Sequence, residues 1–255
     1  MVSIDALKAQ LQVHPLPAVE YRIGDPLDVF DTPELKTLAT QAWPGRHLTF
    51  SLAELSQLDT ARAFPIRLCE DSYPGWIDVQ TLACLTPASQ PYQAPVITRD
   101  QVLARLPYVI GLMQAALHQP NEYLWGGTIG PNFDCSGLMQ RAFAEQGIWL
   151  PRDAYQQETF TQTVVNPGET AQALATVLQP GDLIFFGPPQ KANHVALYLG
   201  DSQYIHSSGK DQGRNGMGID WLSAQGDDVT QSYYQQIRGA GRIVTGYQPI
   251  FSKDQ

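Results

Sequence analysis

The sequence predicts an α+β protein in two parts: a small all-β unit, then a larger unit in which helices precede antiparallel strands. Three observations carry this. Residues 18 to 86 hold short apolar runs between closely spaced turn signals, the pattern of a small β-barrel or sandwich. The segment TPASQPYQAP (86 to 95) has three prolines and almost no apolar periodicity, as expected of a linker. Beyond it, apolar residues first recur at helical spacing and later gather in strand-like runs, which is the α+β order. The boundaries that follow are 1–88 for the β-unit with an N-terminal extension, 89–98 for the linker and 99–255 for the larger domain.

Taken in order, the strand candidates of the first unit are EYRIG, DVFD, HLTFSL and PIRLC, separated by Gly24-Asp25-Pro26, Asp31-Thr32-Pro33 and Pro44-Gly45. Cys69 and Cys84 are expected to fill its core, with one bridge between them geometrically conceivable. After the linker, Thr98 and Gln101 have the spacing of a capping box. Val102, Leu103, Leu106, Val109, Ile110, Met113 and Leu117 then follow a helical period. Pro107 falls inside this run and is expected to kink or restart the helix, since it lacks an N–H and its ring crowds the preceding turn. A second helix is predicted from Cys135 to about Gln146, capped by Asp134 and stopped by Gly147. Strands are predicted at DLIFF (182–186), HVALYL (194–199), QYIHS (203–207) and GRIVTGY (241–247), and a surface loop from Ser208 to Gly218.

Composition removes several functions. With 43% hydrophobic residues the chain should pack rather than stay disordered. Its 16 Lys+Arg against 25 Asp+Glu give a net charge of -9, so neither nucleic acid nor an anionic membrane surface is an expected partner. No window holds 18 uninterrupted apolar residues, so no transmembrane helix is expected. MVSIDALKAQLQVHPLPAVE has no basic start before an apolar run, and three cysteines make no disulfide framework. A cytoplasmic protein is the expectation, with its oligomeric state open.

The local feature that points to chemistry is FDCSG (133–137) at a predicted helix start. Unpaired N–H groups and the helix dipole favour negative charge there, so Cys135 is expected to be an activated thiolate. Asp134 opposes this unless its charge is spent on a cap or a cation. A thiolate nucleophile needs a base. His14, His47 and His118 lie in the tail, the small unit and a helix end, whereas His194 and His206 belong to the two arms of a predicted hairpin. With a three-residue loop at Gly200–Ser202, Ala196 faces His206, and the two histidines become diagonal neighbours on one face. A two-residue loop would set them on opposite faces. Two chemistries suit this set: Cys135 as nucleophile, His194 as base and His206 as orienter, or a zinc site made by all three. The helix-start position favours the metal-free thiol enzyme, with the Cys135 backbone N–H placed for an oxyanion.

Six motifs then appear in one order: YLWGG (123–127), DCSGL (134–138), LPRDAYQQ (150–157), PGDLIFF (180–186), HVALYLG (194–200) and YIHSSG (204–209). In these the chain resembles the NlpC/P60 family of cysteine peptidases. LATQAWPGRHL (38–48) and LCEDSYPGWI (68–77) resemble a bacterial SH3-like (SH3b) barrel. The combination is similar to cyanobacterial γ-D-glutamyl-L-diamino acid endopeptidases. The resemblance implies a papain-like core, no cofactor, and hydrolysis of the γ-D-glutamyl–diamino acid bond in peptidoglycan stem peptides. It further implies that Cys135 is the nucleophile, His194 the base, His206 the third residue and Tyr123 an aid to the oxyanion. A substrate with a free L-Ala amine needs a carboxylate partner; Asp134 is the expected one, with Tyr73, Glu70 and Asp71 of the small unit contributing. Ser136 and Arg152 are expected at the glutamate α-carboxylate, which an Arg fork suits. Without an export pattern, such an enzyme is expected to recycle cell-wall fragments, the small unit shaping its entrance. A non-catalytic peptidoglycan-binding protein, or an acyltransferase or amidase on the same core, is the alternative.

Overall fold

A computed structural model of the chain describes residues 20–50, 62–166, 174 and 176–249. The N-terminal extension, with His14, lies outside the described residues. Contacts divide the chain into two units, Met1–Ala94 with Gln248–Gln255, and Pro95–Tyr247.

The first unit holds β1 (Glu20–Ile23), β2 (Leu27–Phe30), β3 (Leu38–Ala42), β4 (His47–Phe50), β5 (Ala63–Leu68), β6 (Pro74–Asp78), a 3-10 turn (Val79–Cys84) and β7 (Leu85–Pro87). They form one antiparallel sheet in the order β3-β2-β6-β5-β4-β1-β7. The described strands do not close into a barrel: β3 and β7 end the order unjoined. Alternation along the strands sends Tyr21, Ile23, Leu27, Val29, Leu48, Phe50, Phe64 and Ile66 into one core. Cys69 is buried, Cys84 is partly buried, and the two are unbridged. Where β2 meets β6, a Cβ on Gly75 would collide with the Val29 side chain and the Phe30 carbonyl oxygen, so that approach requires glycine.

In the second unit, α1 (Arg99–Leu117) starts with the expected Thr98–Gln101 capping box. Pro107 sits inside the helix without ending it. It lies on the exposed face with Leu103, where the carbonyl that loses its N–H partner can turn to water. α2 (Cys135–Ala144) is shorter than predicted; Gly147 adopts φ 70° and its N–H bonds the Ala144 carbonyl at 2.8 Å. Then come α3 (Ala154–Phe160), β8 (Gln162–Val165), β9 (Leu183–Phe186), β10 (His194–Gly200), β11 (Gln203–Ser208), β12 (Gly216–Trp221), α4 (Asp228–Gln235) and β13 (Ile237–Arg242). The six strands form an antiparallel sheet in the order β12-β11-β10-β9-β13-β8. Leu183, Phe185, Val195, Leu197 and Ile205 join the core with α1 and α2, whereas Ile184, Phe186, Ala196, Tyr198 and Tyr204 pack with Val229 and Tyr233 of α4. Among the described residues, no helix is long and apolar enough to cross a membrane.

Two strand expectations are corrected. The last strand ends at Arg242 and does not run from 241 to 247. Its IRGAGR sequence hides it, because glycine is a poor strand residue; Gly241 is needed since a Cβ would collide with Thr161. The supposed loop at 208–218 carries the start of β12, paired to β11 from Ser208↔Gly216 to Gln203↔Trp221. Here the glycine at 218 makes room for the Arg214 guanidinium lying against it.

Gly75→Ala should lower stability by about 1–3 kcal/mol through this overpacking. Gly111→Ala, in an exposed helical position with nothing within 4 Å of the new Cβ, should raise it by roughly 0.5–1 kcal/mol. Denaturant unfolding of the two variants beside the parent checks both signs.

Candidate active site

Cys135 is the first residue of α2, and the chain before it is folded to make that start rigid. Asp134 is the N-cap, its Oδ1 accepting the Gly137 N–H at 2.6 Å. A Cβ on Gly137 would collide with the Gly127 carbonyl oxygen, so the 126–128 turn lies against the first helical turn. The Gly126 N–H donates to Asp134 Oδ2 at 2.8 Å. Arg152 grips the same carboxylate with both arms, Nη1 to Oδ1 at 3.2 Å and Nη2 to Oδ2 at 2.5 Å, and Nη1 also donates to Ser136 Oγ at 3.0 Å.

A carboxylate offers about four lone-pair sites, and these donors fill them. Asp134 is thus a helix cap and the buried partner of Arg152. The same network holds Ser136 and Arg152, the latter only 2% exposed. Their expected place at a substrate carboxylate does not follow from this arrangement, because Arg152 has its fork turned to Asp134.

The hairpin that carries the histidines solves its register in an unexpected way. Asp201 and Ser202, at φ 49° and 62°, form a two-residue turn, the primed type that suits strand twist. The pairing then slips between Tyr198 and Gly200, leaving Leu199 as an extra residue. This bulge restores Tyr198↔Tyr204 and Leu197↔Ile205, which places Ala196 opposite His206. His194 Nε2 and His206 Nδ1 accordingly meet at 2.8 Å, their rings crossed at 86°. The two nitrogens face each other rather than a shared ion, and among the described residues no cluster of His, Cys, Asp and Glu is arranged to hold a metal.

Sequence reasoning missed two neighbours. His206 Nε2 bonds Asp220 Oδ2 at 2.6 Å. Asp220 lies on β12, and the alternation of Met217, Ile219 and Trp221 was the signal that would have found that strand. Tyr233 of α4 lays its ring over His194 at 4.5 Å and 31°, and its hydroxyl meets Ser208 Oγ at 2.7 Å. Phe186 and Tyr204 add ring contacts at 5.6 Å to His194 and 5.2 Å to His206. Ser207 Oγ donates to the Phe133 carbonyl at 2.6 Å, tying β11 to the chain two residues before Cys135.

The sulfur lies at the start of β10, where the Val195 backbone N–H donates to it. Tyr123 is bridged to Phe133. Burial, and then the charges of Cys135 and Asp134, raise its phenol far above the ordinary value, so it stays a donor. Tyr73, Glu70 and Asp71 belong to the first unit. Glu70 and Asp71 are buried there against Arg46 at 3.1 and 2.9 Å, and Asp71 Oδ1 accepts the Tyr73 N–H at 3.2 Å.

Electrostatics correct the expected resting thiolate. Burial first, then the Asp134 charge, push the Cys135 thiol up to about 12; the N–H groups of Val195 and Ser136 and the Arg152 charge oppose this without winning. Burial and then His206 hold His194 well below its ordinary value. His206 is lowered by burial against the pull of Asp220. At neutral pH the site therefore rests as a protonated thiol beside two neutral imidazoles.

Residues 120–238 match the profile of the NlpC/P60 family. The second unit thus contains a stretch similar to NlpC/P60 family domains. Over 132 residues, 52% of this chain and 21% of the other, it is 33% identical to a probable endopeptidase p60 of Listeria seeligeri. Over 88 residues it is 40% identical to a γ-D-glutamyl-L-lysine dipeptidyl-peptidase of Bacillus cereus, covering 33% of this chain and 24% of that one. Another 88-residue match, 36% identical, is to the murein DD-endopeptidase MepS/murein LD-carboxypeptidase of Escherichia coli, with 34% and 42% covered. The chain thus spans less than half the length of these relatives. A solved NlpC/P60 family protein from Bacillus cereus aligns over 89% of this chain and 64% of its own at 24% identity, with a TM-score of 0.44.

Iodoacetamide should modify Cys135 of the free protein slowly at pH 7. The rate should keep rising with pH past 9, because the thiolate fraction grows toward about 12. A rate already level between pH 6 and 8, followed by mass spectrometry, would show a preformed thiolate instead.

Proposed function

We propose that the protein is a metal-independent cysteine endopeptidase that hydrolyses the γ-D-glutamyl–diamino acid bond of short peptidoglycan stem peptides bearing a free N-terminal L-Ala. The observation that carries the reading is the 2.8 Å contact of His194 Nε2 with His206 Nδ1 beside a helix-start thiol. It is supported by the NlpC/P60 match and by the similarity to the γ-D-glutamyl-L-lysine dipeptidyl-peptidase of Bacillus cereus.

With Nε2 engaged by His206, Nδ1 of His194 is the nitrogen left to take the thiol proton as sulfur attacks the γ-glutamyl carbonyl carbon. The oxyanion is met by the Cys135 backbone N–H and the Tyr123 hydroxyl. His194 then returns the proton to the departing amine of the diamino acid, leaving a γ-glutamyl thioester on Cys135. Water, deprotonated by the same imidazole, releases the acid and restores the thiol. The carboxylate of Asp134 holds the helix start for this chemistry. A cytoplasmic role in cell-wall recycling belongs to the same proposal.

The expected result is cleavage of L-Ala-γ-D-Glu-diamino acid to a dipeptide and the free diamino acid, read by mass spectrometry. An N-acetylated tripeptide should be cleaved far more slowly. Cys135→Ala should remove turnover, and a chelator should leave it unchanged. Equal rates on both peptides would overturn the free-amine specificity, and transfer to an added amine would reassign the chemistry to acyl transfer.

The base must be neutral to act. Since burial and His206 keep His194 below the ordinary 6.5, kcat/KM should hold through pH 6.5 on the way down and fall only as pH drops through the lowered value. An acid limb at or above pH 6.5 in a pH–rate profile would contradict this assignment.

A further inference from the structure

Behind His206 stands a carboxylate that the Cys–His–His arrangement does not include. Asp220 is 2% exposed. Its Oδ2 meets His206 Nε2 at 2.6 Å, while its Oδ1 receives Arg214 Nη2 at 2.6 Å and Thr230 Oγ1 at 3.4 Å. The β11–β12 register pairs His206 with Gly218. Asp220, two residues further on, therefore lies diagonally on the same face, and the glycine leaves the space that the Arg214 guanidinium occupies.

The hydrogen-bond inventory turns this into a constraint on protons. An ionised carboxylate only accepts, and Asp220 is kept ionised: burial opposes its charge, but the hydrogen bond from His206 and the presence of Arg214 bring its pKa below the ordinary value. His206 Nε2 must then carry hydrogen. In a neutral ring that leaves Nδ1 bare, so the 2.8 Å contact needs hydrogen on His194 Nε2. His194 Nδ1 is bare in turn, the form that can accept the thiol proton. We propose that Asp220 is a positioning residue that sets the tautomer of both imidazoles, and that Arg214 sets which way Asp220 presents its acceptor. The role in turnover rests on the reading of Cys135 and His194 given above; the tautomer assignment does not.

Asp220→Asn separates this from a packing role. An amide at 220 keeps the shape, but Arg214 still demands an oxygen at the Oδ1 position. The NH2 group then faces His206 Nε2 and donates to it. Both rings switch: His206 carries hydrogen on Nδ1, His194 on Nδ1, and the base is blocked.

The test is long-range 1H–15N correlation of the histidine rings in the full chain at pH 8, with kcat and KM on the tripeptide. The parent should show His194 and His206 both protonated at Nε2, and D220N both at Nδ1. In D220N, kcat should fall on the order of 10⁴-fold, as for a triad in the wrong tautomer, with KM little changed. The double variant D220N/R214M, whose amide is free to turn its oxygen to His206, should recover part of that kcat. Nδ1 protonation of His206 in the parent would overturn the proposal even if D220N fails to fold. D220N retaining parental tautomers and kcat would overturn it while leaving the peptidase reading intact. A parent that cleaves no tripeptide would remove that reading, while the ring spectra still decide the tautomers.

Discussion

A single line of donors and acceptors, buried from Asp220 onward, governs the second unit: Arg214 to Asp220, Asp220 to His206, His206 to His194. Asp220, His206 and His194 are buried while Arg214 is partly exposed, so each buried group must find its partner in the protein or cost the fold its desolvation. β10, β11 and β12 supply the two histidines and Asp220, the segment just before β12 supplies Arg214, and α4 covers the histidines with the Tyr233 ring. Because the line admits few proton arrangements, the geometry of the sheet becomes a statement about which nitrogen is basic. The same shielding explains why both rings are neutral at rest. An imidazolium in this place would lack the water that stabilises it elsewhere.

Desolvation also decides the state of the sulfur. A helix start favours an anion by about 0.3–1 kcal/mol when exposed, whereas enclosing a thiolate beside Asp134 costs far more than that; the thiol stays protonated. In the proposed mechanism nucleophile and base are then both neutral at rest, and the proton moves as sulfur attacks an acyl group. Buried acids in both units follow the same rule. Asp134 is bound to Arg152, and Glu70 and Asp71 to Arg46, because a buried carboxylate without a cation is expensive. Although the chain carries a net charge of -9, these three acids are each paired with a buried arginine.

Much of this was legible in the residues. The Thr98–Gln101 box, the Asp134 cap before Cys135 and the strands of the hairpin depend on contacts within a few positions, and local patterns report such contacts. Asp220 escaped notice because its strand is glycine-rich, and those glycines make room for Arg214, which folds back from just ahead of the strand, and for Asn121, which is distant in sequence. The last strand was misplaced for a similar reason, with Gly241 answering to Thr161. In both places the composition of the strand reflects a neighbour the local pattern cannot name.

From its sequence alone this protein was committed to a cysteine at a helix origin and to two histidines on one hairpin, since capping and strand alternation are local and periodic. Whether those histidines would meet was decided by the fold. A tight turn alone would have turned them apart, and the extra residue at Leu199 brings them back. The fold also decided which acids are consumed in pairing and which state the sulfur adopts, because burial and charge pairing belong to surroundings assembled from distant parts of the chain.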